Sequence, residues 1–252
     1  MQEILERVRQ INRENERLFQ QLVAGEHRFR TLAKAVWKVQ EEERRRLARE
    51  LHDGIGQTLS ALKIQLERLE QQAEGARPEL LARLADSVQL VGRVLNETRE
   101  LSRLLRPPVL DGLGLVPALR WLARTLEQRT GLAVELEVEG IDERLDPDLE
   151  TLVFRVVQEA LNNVVKHAGV SSTKVALKAG TGHLSLQVAD QGRGFDVASA
   201  WRTSAESSGC GLRGIQDRVE LFGGRFQVHS KPGGGTELRV RVPLNSGAEG
   251  RS

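Results

Sequence analysis

The sequence predicts an α-helical first half joined to an α/β second half. Three observations carry this expectation. Apolar residues from 4 to 39 recur at alternating steps of four and three. Two further runs, 47–69 and 81–105, keep helical spacing on either side of a turn-rich break. Beyond residue 114, short alternating segments are interleaved with helical ones.

The chain has 252 residues and 28.0 kDa, room for one large or two ordinary domains. It is 39% apolar, enough for a buried core, and 29% charged. A net charge of +2 does not call for nucleic acid. One cysteine excludes an internal disulfide framework and fits a reducing cytoplasm. No apolar run approaches the about 18 residues of a membrane span. The N-terminus, "MQEILERVRQ", is charged throughout and unlike a signal peptide. A soluble, cytoplasmic chain is expected, which a membrane segment could precede in a longer protein.

Residues 1–45 predict a coiled coil. Ile4, Val8, Ile11, Leu18, Leu22, Phe29, Leu32, Val36 and Val39, with Asn15 and Gly25, make an unbroken heptad seam. A seam Asn fixes register and strand number, which points to a parallel dimer. From Val39 the next seam residue is Leu47, eight positions on where the repeat wants seven. Leu51, Ile55, Leu59, Leu62, Leu66 and Leu69 continue the new phase. "AEGARPE" (73–79) breaks it, and Leu81, Leu84, Val88, Val91, Leu95, Leu101 and Leu105 form a second face. Residues 46–106 therefore read as a helical hairpin. A hairpin buries little alone, so two hairpins from two chains are expected to form a four-helix bundle.

"RPPVLDGLG" (106–114) ends the hairpin, with a linker expected at 107–114. A domain is expected over 115–244 and a short tail at 245–252. Leu115, Leu119, Leu122 and Leu126 mark a helix face. Strands are expected around 134–138, 175–177, 184–188, 226–228 and 238–242, and helices at 147–167 and 212–222. Together they predict one sheet covered by helices on one face.

The 147–167 helix carries Glu159, Asn163, Lys166 and His167, offsets that put all four on one face. A carboxylate and a carboxamide one turn apart suit Mg²⁺ and its waters. The Lys and His beyond them suit phosphate charge. "DQGRG" (190–194) places Asp190 at a strand end before a glycine-rich loop. "GCGLRG" (209–214) opens the next helix, where glycines and the helix dipole favour phosphate. Upstream, "ELHDGIGQ" (50–57) sets His52 beside Asp53 and spends two glycines inside a helix, each costing about 1 kcal/mol relative to alanine.

Together "ELHDGIGQ", "QEALNNVVKHA", "ADQGRGF", "GCGLRGIQDRVELFGG" and "PGGGTELRVRVPL" resemble the bacterial sensor histidine kinases, in the branch of NarX, DegS, LiaS and DesK. The resemblance covers about residues 40–244. It implies a dimeric phosphoacceptor bundle followed by a two-layer α/β sandwich of the GHKL (Bergerat) type that binds ATP. By that resemblance Asn163 holds Mg²⁺ with Glu159 in support, and Asp190 recognises the adenine amino group. Gly192 and Gly194 shape the base pocket, Gly209, Gly211, Leu212 and Gly214 border the lid and phosphates, and Thr236 lies near the base. Gln191 and Cys210 depart from the residues common in this branch, and neither removes a group assigned chemistry. His52 is implied as phosphoacceptor, with Asp53 orienting the ring and taking its proton. Gly54 and Gly56 are expected to keep the surface around His52 low. Gln57, four residues after Asp53, matches the signature for dephosphorylating the partner, where a carboxamide orients water. The implied partners are a second copy and the receiver domain of a response regulator, whose output in this family is DNA-binding. The chain is then the cytoplasmic part of a sensor, free-standing or membrane-bound. Two other classes share parts of the pattern. A GHKL ATPase or serine kinase would use the same ATP site and need no "LHD" helix. A non-catalytic coiled-coil adaptor would need no intact set of Glu159, Asn163, Asp190 and glycines.

Overall fold

The protein is described from a computed structural model covering residues 2–73, 77–206 and 211–244. It divides into two compact units, Met1–Glu43 and Arg44–Ser252. Helix α1 spans Gln2–Arg49, with neither Pro nor a cluster of turn residues to interrupt it. Within the first unit, the seam residues Leu22, Phe29 and Val39 are 72%, 70% and 70% exposed. A single chain thus leaves its apolar stripe facing water, as one strand of a coiled coil does.

In the second unit α1 runs into a π-helical turn, Glu50–Ile55, and then α2 (Gly56–Gln72). The π turn explains the seam here. Leu47, Leu51, Ile55 and Leu59 are four apart, and in a straight α-helix three such steps would swing the stripe by about 120°. The wider π turn absorbs part of that drift. Thr58 Oγ1 donates to Gly54 O (2.9 Å) and Ser60 Oγ to Gly56 O (2.7 Å), satisfying carbonyls beside the irregular turn. Only one of the two glycines keeps the surface low. Gly54 is exposed, with open space where a Cβ would stand, whereas Gly56 is buried and its Cβ would lie 3.4 Å from Leu51 O.

Helix α3 (Pro78–Leu105) starts with Pro78 at its first position and packs back on α2. Leu95 is buried, and Ser102 Oγ donates to Ala48 O (2.7 Å). Where a linker was expected the chain forms a short helix, α4 (Pro108–Leu113), before α5 (Leu115–Thr130). Pro107 and Pro108 end one helix and start the next.

The α/β part follows as β1 (Ala133–Glu139), α6 (Pro147–Asn163), a second π turn (Val164–Ala168), β2 (Ser172–Gly180), β3 (His183–Asp190), α7 (Val197–Glu206), α8 (Leu212–Leu221), β4 (Arg225–Ser230) and β5 (Thr236–Pro243). The sheet order is β1-β2-β3-β5-β4, with β1 and β2 parallel and the other pairs antiparallel. The strands alternate: Val175, Leu177, Leu184, Leu186, Val188, Leu238, Val240 and Val242 are buried, and most of their neighbours are polar and exposed. α5, α6 and α8 cover that apolar face, giving two layers. Asp146 Oδ1 caps α6 by accepting from Asp148 N (3.0 Å) and Leu149 N (3.2 Å). The helix then buries Leu149, Leu152, Phe154, Val156 and Leu161 almost completely. The helix predicted over 147–167 is α-helical only to Asn163, and its last turn is the π turn closed by Gly169 at φ +70°.

Candidate functional site

The end of α6, its π turn, the end of β3 and the starts of α8 and β5 surround a cavity of about 350 Å³. Its walls are mostly apolar: Ala160, Val164, Ala168, Val188, Phe195, Ala200, Leu212 and Leu238. Asn163, His167, Asp190 and Thr236 supply the polar groups, and Gly194 and Gly211 complete the lining. This is the size and character of a small-molecule site.

Asp190 is the last residue of β3, paired in register with Thr236 of β5. Its Oδ1 accepts from Gly192 N (2.8 Å), which fixes the carboxylate at the head of the loop. The loop is tied down on three sides. Arg193 N donates to Ala168 O (3.0 Å), Gly235 N to Gly192 O (3.0 Å), and Gly233 N to Arg193 O (2.6 Å). Ser230 Oγ accepts from Phe195 N (2.9 Å) and donates to Gly235 O (2.8 Å). Such close approach requires glycine. A Cβ at Gly192 would stand 2.5 Å from Ala168 O and 2.8 Å from Asp190 Oδ1. At Gly194, φ is +57° and a Cβ would collide with Lys231 O.

Asn163 ends α6, and His167 follows it across the π turn; both line the cavity. Lys166 is exposed and lies outside the lining, as does half-buried Glu159. The single face expected for these four residues is therefore split; the wider turn re-phases the helix after Asn163, which accounts for Lys166 but not for Glu159. Gly211 caps α8 at φ +92°, and Leu212 follows it into the wall. Gly214 is buried within α8, away from the cavity lining. Gly209 and Cys210 lie outside the described residues, as do the whole tail (245–252) and part of the lid region. Asp196 accepts from the Ser199 hydroxyl and from the backbone N–H groups of Ser199 and Ala198, which hold its carboxyl below the usual range and start α7. Through α7, Ala200 reaches the cavity.

His52 and Asp53 sit exposed in the first π turn, and Gln57 is exposed at the start of α2. None of the three lines the cavity. The residues singled out in the sequence thus form two groups, one in the pocket and one on the hairpin. Ser230, Phe195 and Ala168 belong to the pocket's frame and escaped the sequence reading. Ser230 carries no motif, and only its place before the glycine turn at 233–235 hints at a structural role.

The cavity offers a fixed carboxylate acceptor and a carboxamide among apolar walls, with Gly211 and Leu212 at the N-terminus of α8 in its lining. It suits a flat ring bearing an amino group at one end and an anion with a hard cation at the other. Among the described residues no group of three or more His, Cys, Asp or Glu is placed to hold a metal ion. The donor set nevertheless fits Mg²⁺ in its commonest protein setting, where one or two side chains supplement water and phosphate oxygens.

Residues 43–110 match a family model described as "Histidine kinase", and residues 148–246 one described as "Histidine kinase-, DNA gyrase B-, and HSP90-like ATPase". The chain is 35% identical over 222 residues to the sensor histidine kinase MctS of Rhizobium johnstonii, covering 88% of this chain and 48% of that protein. It is 33% identical over 210 residues to the signal transduction histidine-protein kinase/phosphatase DegS of Brevibacillus brevis (83% and 53% covered). It is 35% identical over 205 residues to the oxygen sensor histidine kinase NreB of Staphylococcus carnosus (81% and 57%). The chain spans about half the length of these relatives. A solved structure of the histidine kinase domain from the Erythrobacter litoralis EL346 blue-light activated kinase aligns at 20% identity and TM-score 0.45, over 73% of this chain and 96% of that one. No helix among the described residues is long and apolar enough to cross a membrane.

Proposed function

This chain belongs to the sensor histidine kinases, with a C-terminal domain of the ATP-binding kind, and from that premise we propose that it phosphorylates itself on His52 and passes the phosphoryl group to an aspartate of a response regulator. The observation that carries the proposal is the pocket joining Asn163, Asp190 and the glycine frame in a chain that also presents an exposed His52–Asp53 pair.

Each residue has an assigned task. Asp190 accepts the adenine amino group between apolar walls. Gly192 and Gly194 let the loop close on the base, and Thr236 borders it. Asn163 ligates Mg²⁺, Glu159 supports it from one turn earlier, and His167 lies beside the phosphates. Lys166 and the start of α8 at Gly211 and Leu212 meet phosphate charge. Bound MgATP supplies the transferable phosphoryl group and the cation that offsets its charge. His52 provides the nitrogen lone pair, and Asp53 orients the imidazole and holds its proton. Gln57 positions water for the reverse task, dephosphorylation of the partner.

The same reading divides the chain into a signalling coil (1–45), a dimerisation and phosphoacceptor hairpin (46–106), a linker (107–114), a catalytic domain (115–244) and a tail (245–252). It makes the working unit a homodimer in the cytoplasm. The coil's exposed seam and the exposed Leu62, Leu69, Leu90 and Leu101 of the hairpin support that assembly. Incubation with γ-labelled ATP and Mg²⁺ tests the proposal. Label that is acid-labile and base-stable is expected. Acid-stable label would instead indicate a serine kinase, and ATP hydrolysis without any label an ATPase.

A further inference from the structure

The helix that ends in Asn163 is also the helix that holds the hairpin's exit. Arg155 of α6 is 2% exposed, and its Nη2 donates to Leu105 O at 2.6 Å. Gln158 Nε2 donates to Leu104 O at 3.1 Å. Those carbonyls belong to the last turn of α3 and have no helical partner of their own. Beside them the connecting segment is bound by charge. Arg106 bonds both oxygens of Asp111 (2.8–3.2 Å) and approaches Thr151 Oγ1 of α6 (3.5 Å). Arg144 bonds the buried Glu150 of α6 (2.9 and 2.8 Å) and approaches Leu110 O (3.4 Å). From the other side Arg45, in α1, reaches Asp111 at 3.4 Å. Asp111 therefore receives arginines from α1 and from the end of the hairpin at once.

We infer that Asp111, with Arg45 and Arg106, is a positioning clasp that holds the ATP-binding part at the foot of the hairpin and must open before phosphoryl transfer. The inference rests on the kinase reading. Its physical basis is twofold. His52 does not line the ATP pocket of its own chain in this arrangement, so transfer within one chain requires the pocket to move relative to its seat. The buried half of the seat, Arg155 and Glu150, is firm, and the bidentate Arg106–Asp111 pair is largely buried on its arginine side, whereas the Arg45–Asp111 contact joins two partly exposed side chains at 3.4 Å and is weak enough to open. Arg45 lies within 40–46, where the heptad phase shifts, so a movement of α1 reaches the clasp directly.

Arg45→Met and Asp111→Asn, singly and together, test this in the full chain. Each single variant should autophosphorylate about two- to fivefold faster than wild type, the range open to an exposed ion pair. The KM for ATP should stay unchanged, which a general loosening of the pocket would not leave intact. The double variant should be no faster than Asp111→Asn alone, because that change already removes the Arg45–Asp111 pair. Unchanged or slower labelling, additive gains, or a shifted KM would overturn the clasp while a labelled wild type upholds the kinase reading. A wild type that takes no label overturns both.

Discussion

Asp190 depends on a single backbone donor for its orientation. Its Oδ1 accepts from Gly192 N–H, and on the proposed reading Oδ2 accepts from the amino group of the base. Asn in its place keeps one oxygen but turns the second acceptor into a donor. A donor facing an exocyclic amino group is a repulsive pairing in a mostly apolar slot, and an unmet buried polar group costs about 1–3 kcal/mol. Asp190→Asn should therefore weaken ATP binding by roughly ten- to a hundredfold with little change in thermal stability, as read by calorimetry. Unchanged affinity would remove Asp190 from the pocket's chemistry. The role of Asp190 toward a base came from the family resemblance, while its place at a strand end before a glycine-rich loop was legible in the sequence. Ser230 was not, since its hydroxyl serves two backbone groups brought together only by the fold, one at Phe195 and one at Gly235.

The helices and strands followed from their periods, and their irregularities did not. Five strands and the α6 core are plain in the alternation and in the i, i+3, i+4 stripes. Both π turns were hidden, because steps of four can be read as a stripe drifting around an ordinary helix. Their effects are local. One gathers Leu47, Leu51, Ile55 and Leu59 toward a common stripe through the His52 segment. The other keeps His167 with Asn163 while Lys166 leaves the cavity. The eight-residue step from Val39 to Leu47 belongs to the same class of irregularity, and it sets the seam before it and the seam after it one residue out of phase. Such an element needs only a few kcal/mol between two packings to act as a switch. Deleting one residue within 40–46 should make the seam continuous and fix the ratio of kinase to phosphatase activity at one extreme. Removing a whole heptad from 8–35 should leave that ratio near wild type. Equal ratios in the two deletions would make the phase shift a packing detail.

At the level of the whole molecule, the apolar seams left open on one chain fit the proposed homodimer, and they were visible in the sequence because heptads need no tertiary information. The seating of the ATP-binding part on the hairpin was not visible. It is built from partners far apart in the chain, such as Arg155 with Leu105 and Arg45 with Asp111, and nothing in a charged helix or a proline-containing connection specifies such pairs. On the proposed reading the two groups of functional residues, the pocket and the hairpin histidine, are donor and acceptor of one phosphoryl group. Site mapping by mass spectrometry after incubation with MgATP, kept at alkaline pH to preserve phosphohistidine, examines that link most directly. The account predicts phosphate on His52 in the wild type, and none in His52→Gln despite unchanged ATP affinity. Phosphate on any other residue, or label persisting in His52→Gln, would contradict it.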